Sequence, residues 1–384
     1  MLFQYSPSLL SPYFTLGKGK KLFQDQERLI IKHVFYSKAS QREIIELTKI
    51  PQQTVSRVVK SLFDKDVFTQ EHKSSDGSRG QPGYNLQCNP DFAYSVGIGI
   101  LTDSIALAVM NFRGEIVAST KLFLDSMAID NVMDNLVDLY DQLLEETQID
   151  KSKILGLGVG ISGYFTADNT HMNTHTILSM WAEIDISKLM SERFNLPCWL
   201  ENDATAAAAG EGIVGIGNKT KNFVYFFIST GFGGGIVINN ELFRGHQGNA
   251  GELGDIIPPK IYMHPNLENL RQILIKNGVE IQTIEDLLTN FDVNWPGVDE
   301  WVYKVRDVLS LVASAASGLL DTEAIILGGH APQELSKLLA KEISIYDQHR
   351  HEIQRPKPNI FISDNYREPV AIGAASLPFR ELCL

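Results

Sequence analysis

Two stretches of this chain share one outline. SVGIGILTDSIALAVMN (residues 95–111) and NFVYFFISTGFGGGIVINN (residues 222–240) each read as strand, tight turn, strand. The elements around them repeat as well: SVGIGI, IALAVM and EIVAS precede a helix near 129–146 and the strand ILGLGVGISG, and after WLENDATAAAAGEGI the order restarts with FVYFFIST and GGGIVINN. An internal duplication of this kind predicts two similar α/β halves facing each other across a cleft. The two turns differ in one respect. The second is glycine-rich and the first is not.

At 384 residues the chain has room for two or three domains with their own cores. Its 44% hydrophobic and 21% charged residues are those of an ordinary soluble protein. MLFQYSPSLLSPYFTLGKGKK lacks both a basic start before an apolar run and a small-residue cleavage site. No segment offers eighteen uninterrupted apolar residues, so neither export nor a membrane partner is expected. Cys88, Cys198 and Cys383 are widely spread, odd in number and without metal-ligand spacing, which suits a reducing cytoplasm. Charge is unevenly placed: residues 1–90 hold 13 Lys and Arg against 8 Asp and Glu, a net of +5, while the whole chain is at −12. A basic head on an acidic body suits a head that meets a polyanion.

That head has a recognisable layout. FQDQERLIIKHVFYS spaces Leu29, Ile30, Val34 and Phe35 as one helix, and in SQREIIELTKIPQQTVSRVVKSLF the pair Ser40 and Glu43 forms a capping box. A helix is therefore predicted from Gln41 with Ile44, Ile45 and Leu47 inward, stopping at Ile50-Pro51. The next starts near Gln52 and buries Val55, Val58, Val59, Leu62 and Phe63, leaving Gln52, Gln53, Thr54, Ser56, Arg57 and Lys60 outside. Helix, short turn and polar, basic second helix is the helix-turn-helix layout, and Gln and Arg suit the edges of adenine and guanine in the major groove. Asp76-Gly77 then reads as a hairpin turn, a wing, with Arg79 on a slim backbone suited to a narrow minor groove. The predicted partner is double-stranded DNA. The bland alternative is a common helix pair with a solvated basic face.

Four short stretches fall along the expected cleft of the body. Ser229-Thr230-Gly231-Phe232-Gly233-Gly234-Gly235 is either a cradle for phosphate oxygens or a sharp structural turn. Glu201-Asn202-Asp203-Ala204 ends a strand and opens an alanine-rich helix, where an Asn-Asp pair caps the helix or meets a ligand. GNAGELGD (residues 248–255) brings two carboxylates into a glycine-rich loop, and AIILGG (residues 324–329) is a buried strand ending in glycines.

Through ENDATAAAAGEG, ISTGFGGGIV, GHQGNAGELG and AIILGG, in that order, the chain resembles the ROK family of repressors and sugar kinases, and its winged head resembles that of the sugar-responsive repressors. The resemblance covers essentially the whole chain. It implies an α/β fold in which a winged helix-turn-helix (1–90) precedes a two-lobed actin-like ATPase, or ribonuclease H-like, domain. Lobe 1 would span 91–201, with a C-terminal helix near 368–384 returning to it, and lobe 2 would span 202–367. It further implies that Asn202, Asp203, Glu252 and Glu268 bind a sugar or sugar phosphate, Asp203 standing at the kinase general-base position. Thr230, Gly231, Gly233 and Gly234 would be the phosphate turn.

Two departures qualify this. Kinase members carry Asp-x-Gly-x-Thr in the first hairpin, whereas here Gly99 stands at the aspartate and Leu101 and Asp103 occupy turn positions that need a small residue and a hydroxyl; a shifted register would give Asp103 the metal role but still lack the turn glycines. Losing a metal carboxylate beside the phosphates argues against phosphoryl transfer. The family also places a histidine after Glu-x-Gly and then a cysteine-rich zinc knuckle. This chain has Asp255 there and no cysteine in IIPPKIYMHPNLENL, so no structural zinc and no other cofactor is expected. Asp255 either accepts a sugar hydrogen bond in the histidine's place or is a capping or solvated carboxylate. The expected function is a sugar-responsive transcriptional regulator, a repressor of carbohydrate genes, acting as a homodimer or homotetramer on half-sites about 34–36 Å apart or a multiple of that. The alternatives are an active sugar kinase with an accessory DNA-binding head, and constitutive DNA binding with a vestigial pocket.

Overall fold

The computed structural model describes residues 9–14, 16–17, 21–72, 84–166, 170–347, 353, 355–364 and 367–384. Helices α1 (Asp25–Tyr36), α2 (Gln41–Thr48) and α3 (Gln52–Asp64) open it. The capping box forms in both directions, with Glu43 N–H donating to Ser40 Oγ at 3.3 Å and Ser40 N–H to Glu43 Oε2 at 2.7 Å. Lys49, in the left-handed region at φ 58°, ends α2, and Pro51 opens α3. α3 buries Val55, Val58, Val59 and Leu62 at the predicted spacing. Two leucines depart from expectation: Leu29 is 40% exposed and Leu47 is 59% exposed. In α2 the inward arc runs over Gln41, Ile44, Ile45 and Thr48, with Ile44 fully buried, and Leu47 lies beside it. Strands β1 (Phe68–His72) and β2 (Tyr84–Cys88) follow as an antiparallel pair, from Phe68 opposite Cys88 to His72 opposite Tyr84. The turn Asp76-Gly77 and Arg79 lie outside the described residues.

The chain continues through β3 (Tyr94–Ile100), β4 (Ser104–Asn111), β5 (Ile116–Phe123), α4 (Ile129–Thr147) and β6 (Ile154–Ile161). A small hairpin, β7 (Gly163–Phe165) and β8 (Met172–Thr174), precedes α5 (Ile186–Phe194), β9 (Cys198–Asn202) and α6 (Asp203–Val214). Next come β10 (Phe223–Ile228), β11 (Phe232–Ile238), β12 (Glu241–Leu242), α7 (Leu267–Lys276), α8 (Ile284–Asn290) and α9 (Val298–Leu320). The described chain closes with β13 (Ala324–Gly329), α10 (Gln333–Glu342), β14 (Asn359–Ile362), α11 (Pro369–Ala375) and α12 (Leu377–Leu382).

Both five-stranded sheets follow one plan, β5-β4-β3-β6-β9 and β12-β11-β10-β13-β14. In each, an antiparallel meander is extended by two strands that arrive after helices. This is the duplication seen in the sequence. β3, β4, β6, β10 and β13 are buried along their whole length, which explains why they read as continuous apolar runs without alternation.

By compactness the chain forms two units, one of residues 1–159, 185–200 and 374–384, the other of residues 160–184 and 201–373. In the first, the N-terminal helices pack onto the rings of the first sheet's surroundings. Phe35 lies 6.5 Å from both Phe112 and Phe379, centroid to centroid, and Phe112 lies 5.0 Å from Phe92. Arg28 Nη2 donates to the carbonyls of Arg380 at 3.1 Å and Leu384 at 3.3 Å. All three cysteines are free and buried there. The second unit has its own core around Trp301, Leu270, Ile325 and Leu327. No helix among the described residues is long and apolar enough to cross a membrane.

Within the second unit α6 and α11 meet backbone to backbone. A Cβ on Gly210 would stand 2.8 Å from Gly373 Cα, and one on Gly373 would run into the Ala206 carbonyl. Gly373→Ala should therefore lower the unfolding free energy by about 1–3 kcal/mol in a urea titration. Gly318→Ala, at a helical glycine whose added Cβ meets nothing, should raise it by about 0.5–1 kcal/mol.

Candidate functional site

The junction of β9 and α6 sets the first half of the site. Asn202 caps α6, its Oδ1 accepting from Thr205 N–H at 3.0 Å while its Nδ2 donates to the Gly163 carbonyl at 2.8 Å. Asp203 follows as the first helical residue, accepting from Ala204 N–H at 2.8 Å and from Ser162. Burial raises its carboxyl above the ordinary aspartate value, against the pull of these hydrogen bonds.

The loop after β12 supplies the second half. Gly245, Gly248 and Gly251 take φ values of 72°, 85° and 105°, which only glycine adopts freely. This folds Glu252 back toward Asp203. Burial, then the charges of Asp203 and Asp255, push the Glu252 carboxyl up to about 7. Asp255, in the 3-10 turn Leu253–Ile256, is exposed. Of the residues predicted to bind sugar, Glu252 thus feels the charges of both Asp203 and Asp255, and Asn202 adjoins Asp203.

Glu268 is placed differently. It sits in the first turn of α7, where its carboxylate accepts from Arg271 Nε at 2.9 Å, Arg271 Nη2 at 2.8 Å and Gln272 Nε2 at 3.0 Å. The Arg271 guanidinium holds it below the usual glutamate range. The glycine-rich turn joins β10 to β11, with Ser229 N–H donating to the Gly231 carbonyl at 2.9 Å and the exposed Thr230 at its tip. Its glycines divide their work. A Cβ on Gly231 would meet nothing and one on Gly233 would touch only Ala204, at 3.3 Å, whereas one on Gly234 would come within 2.6 Å of the Tyr225 carbonyl.

In the first hairpin Gly99 lies inside β3, opposite Ala106, and Leu101 N–H closes the turn onto the Ser104 carbonyl at 2.9 Å. The exposed Asp103 accepts from its neighbour Ser104 Oγ at 2.7 Å. In the head, Gln52, Gln53, Ser56, Arg57 and Lys60 are exposed on α3, Thr54 is half-buried, and Ser56 Oγ donates to Gln41 Oε1 at 3.3 Å. For zinc, the stretch after Glu252 offers Asp255 and His264 but no thiol, and no three His, Cys, Asp or Glu side chains converge among the described residues. This donor set does not fit a tetrahedral zinc site.

Several supporting residues escaped the sequence reading. Glu201, 1% exposed, accepts from Arg244 Nε at 2.6 Å, and a carboxylate inside the apolar run CWLE was the signal for such a buried pair. Asn249 pairs with the Phe165 backbone, and Ser162 supports Asp203. Neither has a local signature.

Residues 94–377 match the model of the ROK family. The chain belongs to the ROK family. Among its relatives, a xylose repressor of Bacillus subtilis is 31% identical over 229 residues, 59% of each chain. A solved ROK family transcriptional regulator, a homologue of the E. coli MLC protein, aligns with a TM-score of 0.66 at 19% identity over 92% of this chain and 95% of its own. A ROK family glucokinase from Streptomyces griseus, solved with glucose and AMPPNP, aligns at 0.59 and 20% identity over 74% of this chain and 99% of its own. The regulator's likeness takes in more of the chain than the glucokinase's, and both share the actin-like ROK fold.

The raised Glu252 carboxyl has a pH signature. From about pH 4.5 to 7 the folded chain keeps a proton there that the unfolded chain has released, so this residue's contribution to stability falls as pH rises through that window. In thermal melts across it, wild type should lose ground to Glu252→Gln.

Proposed function

We propose that this chain is a sugar-responsive, DNA-binding transcriptional regulator, a repressor of carbohydrate-metabolism genes. The observation that carries the reading is the outer face of α3: Gln52, Gln53, Arg57 and Lys60 stand exposed on the second helix of a pair, ahead of a ROK domain. Side chains of this kind reach base edges and phosphates in a major groove. Two copies of the chain would present two such helices to an operator. The first hairpin supports sensing over catalysis, because Gly99 offers no carboxylate to a metal and the Asp103 charge opposes phosphate. The ROK body would then work without a zinc knuckle and without ATP turnover.

The site also favours one class of effector. Asp203, Glu252 and Asp255 gather carboxylates, while Arg244 and Arg271 are each bound to another acid. Carboxylates accept hydrogen bonds from hydroxyls and repel phosphate, so an unphosphorylated sugar suits the site. To release DNA it must bind the two states of the protein unequally, with coupling of about 1–3 kcal/mol.

A sugar kinase is the second reading, favoured by Asp203, whose buried carboxyl stands at the general-base position. A coupled assay with ATP, Mg²⁺ and a sugar panel separates the two. Phosphorylation lost in Asp203→Asn would establish the kinase.

For the regulator, the full chain should bind DNA from upstream of its own gene in fluorescence anisotropy, with affinity falling as salt rises. Arg57→Ala and Lys60→Ala should each weaken it and reduce the log–log salt slope by about 1. Absence of salt-sensitive binding would defeat the reading. In thermal-shift measurements D-xylose, D-glucose or N-acetyl-D-glucosamine should raise the melting temperature, and their phosphate esters should not; a ligand at a hundredfold excess over its Kd adds about 2.7 kcal/mol.

A further inference from the structure

We propose that Asn249 is the positioning residue of this site, clipping the loop that carries Glu252 onto the same short strand that holds Asn202. For its ligand this rests on the sugar-site reading above.

The clip is a two-point contact. Phe165 N–H donates to Asn249 Oδ1 at 2.7 Å, and Asn249 Nδ2 donates back to the Phe165 carbonyl at 2.9 Å. One side-chain amide thereby meets both polar groups of one backbone residue, as a neighbouring strand would. At the other end of β7, the Gly163 carbonyl takes Asn202 Nδ2 at 2.8 Å. A three-residue strand therefore spans the distance between the residue before Asp203 and the residue three before Glu252. Gly248 lets the loop come this close, since a Cβ there would stand 2.9 Å from the Phe165 ring.

The loop needs such a clip. Three left-handed glycines between residues 245 and 251 give it a wide conformational choice when unpinned. Its near end is fixed by Arg244, bound to the buried Glu201 at 2.6 Å, and the Arg244 carbonyl closes the loop on itself by accepting from Ala250 N–H at 3.1 Å. Asn249 ties the closed loop to β7. Asparagine alone fits this role among its near relatives. Aspartate would keep the bond from Phe165 N–H but turn a second acceptor toward the Phe165 carbonyl, and alanine would make neither bond.

The test follows the Glu252 carboxyl by carbon-13 NMR in the full chain, with Glu252→Gln to assign the signal. Asp203 and Asp255 are the acids that face Glu252, so its midpoint reports its seating against them. In wild type it should lie at about 7. In Asn249→Ala it should fall by about one unit or more as Glu252 swings toward solvent, and in Asn249→Gln, an uncharged amide of the wrong reach, by less. Asn218→Ala removes a side-chain bond elsewhere in the same unit, to the Ile213 carbonyl at 3.1 Å, and should leave the midpoint unchanged whatever it does to stability. Should Asn249→Ala fail to fold, the uncharged Asn249→Gln decides. An unmoved midpoint in the folded Asn249 variants overturns the proposal. Calorimetry of wild type with D-xylose and D-glucose keeps the two claims apart. A moved midpoint without sugar heat supports the positioning role and removes the sugar reading. Where sugar binds, Asn249→Ala should weaken it about tenfold, the loss of a hydrogen-bonded support.

Discussion

The second unit is organised by the contact of a small-residue helix with a glycine strand. α6 is DATAAAAGEGIV and β11 is FGGGIVI, and the two lie so close that a Cβ on Gly235 would come within 3.1 Å of Thr205 Cα. On α6's other flank, Gly373 reaches the Ala206 carbonyl with no room for a side chain. A helix gripped at this distance cannot slide by even one methylene without collision. Its N-terminus, and with it Asn202 and Asp203, is thereby fixed in place. The glycine-rich turn before β11 and the loop of Glu252 after it are both referred to the same helix.

This contact also sorts the glycines of STGFGGG, which answer to different demands. Gly231 is open at the tip, while Gly234 and Gly235 are small because Tyr225, Leu253, Thr205 and Ala208 press on them. Local pattern reveals that a side chain is missing but not what fills the space. Where the cause is local, the sequence is readable: Ser40 and Glu43 mark the start of α2, Pro51 the start of α3, and the repeated hairpin the plan of both sheets. Where the cause is a partner far along the chain, it is not. Asn249 sits 84 residues from the backbone it binds, and Arg244 sits 43 residues from Glu201. Leu47 reads as core but lies beside the inward arc of Gln41, Ile44, Ile45 and Thr48. Glu268, matched by position to a sugar residue, spends its oxygens on Arg271 and Gln272.

The acids of the site show how the fold tolerates concentrated negative charge. Glu201 and Glu268 are each matched with an arginine, whereas Glu252 holds its proton up to about neutral pH. A protonated carboxyl donates as well as accepts, so Glu252 can offer a hydroxyl either role. A ROK glucokinase and a ROK regulator share this backbone plan, so the fold by itself does not choose between catalysis and regulation.

The N-terminal helices carry a last implication, for the movement of parts between proteins. α1 is not set off from the first sheet by a polar linker; Phe35 shares a ring cluster with Phe112 and Phe379, and Arg28 closes over carbonyls at the far end of the sequence. Cutting near residue 90 and grafting another head would expose these rings and leave those carbonyls without their donor. Recombination within the family would therefore have to exchange α1 together with α12, two segments more than three hundred residues apart that behave as one piece.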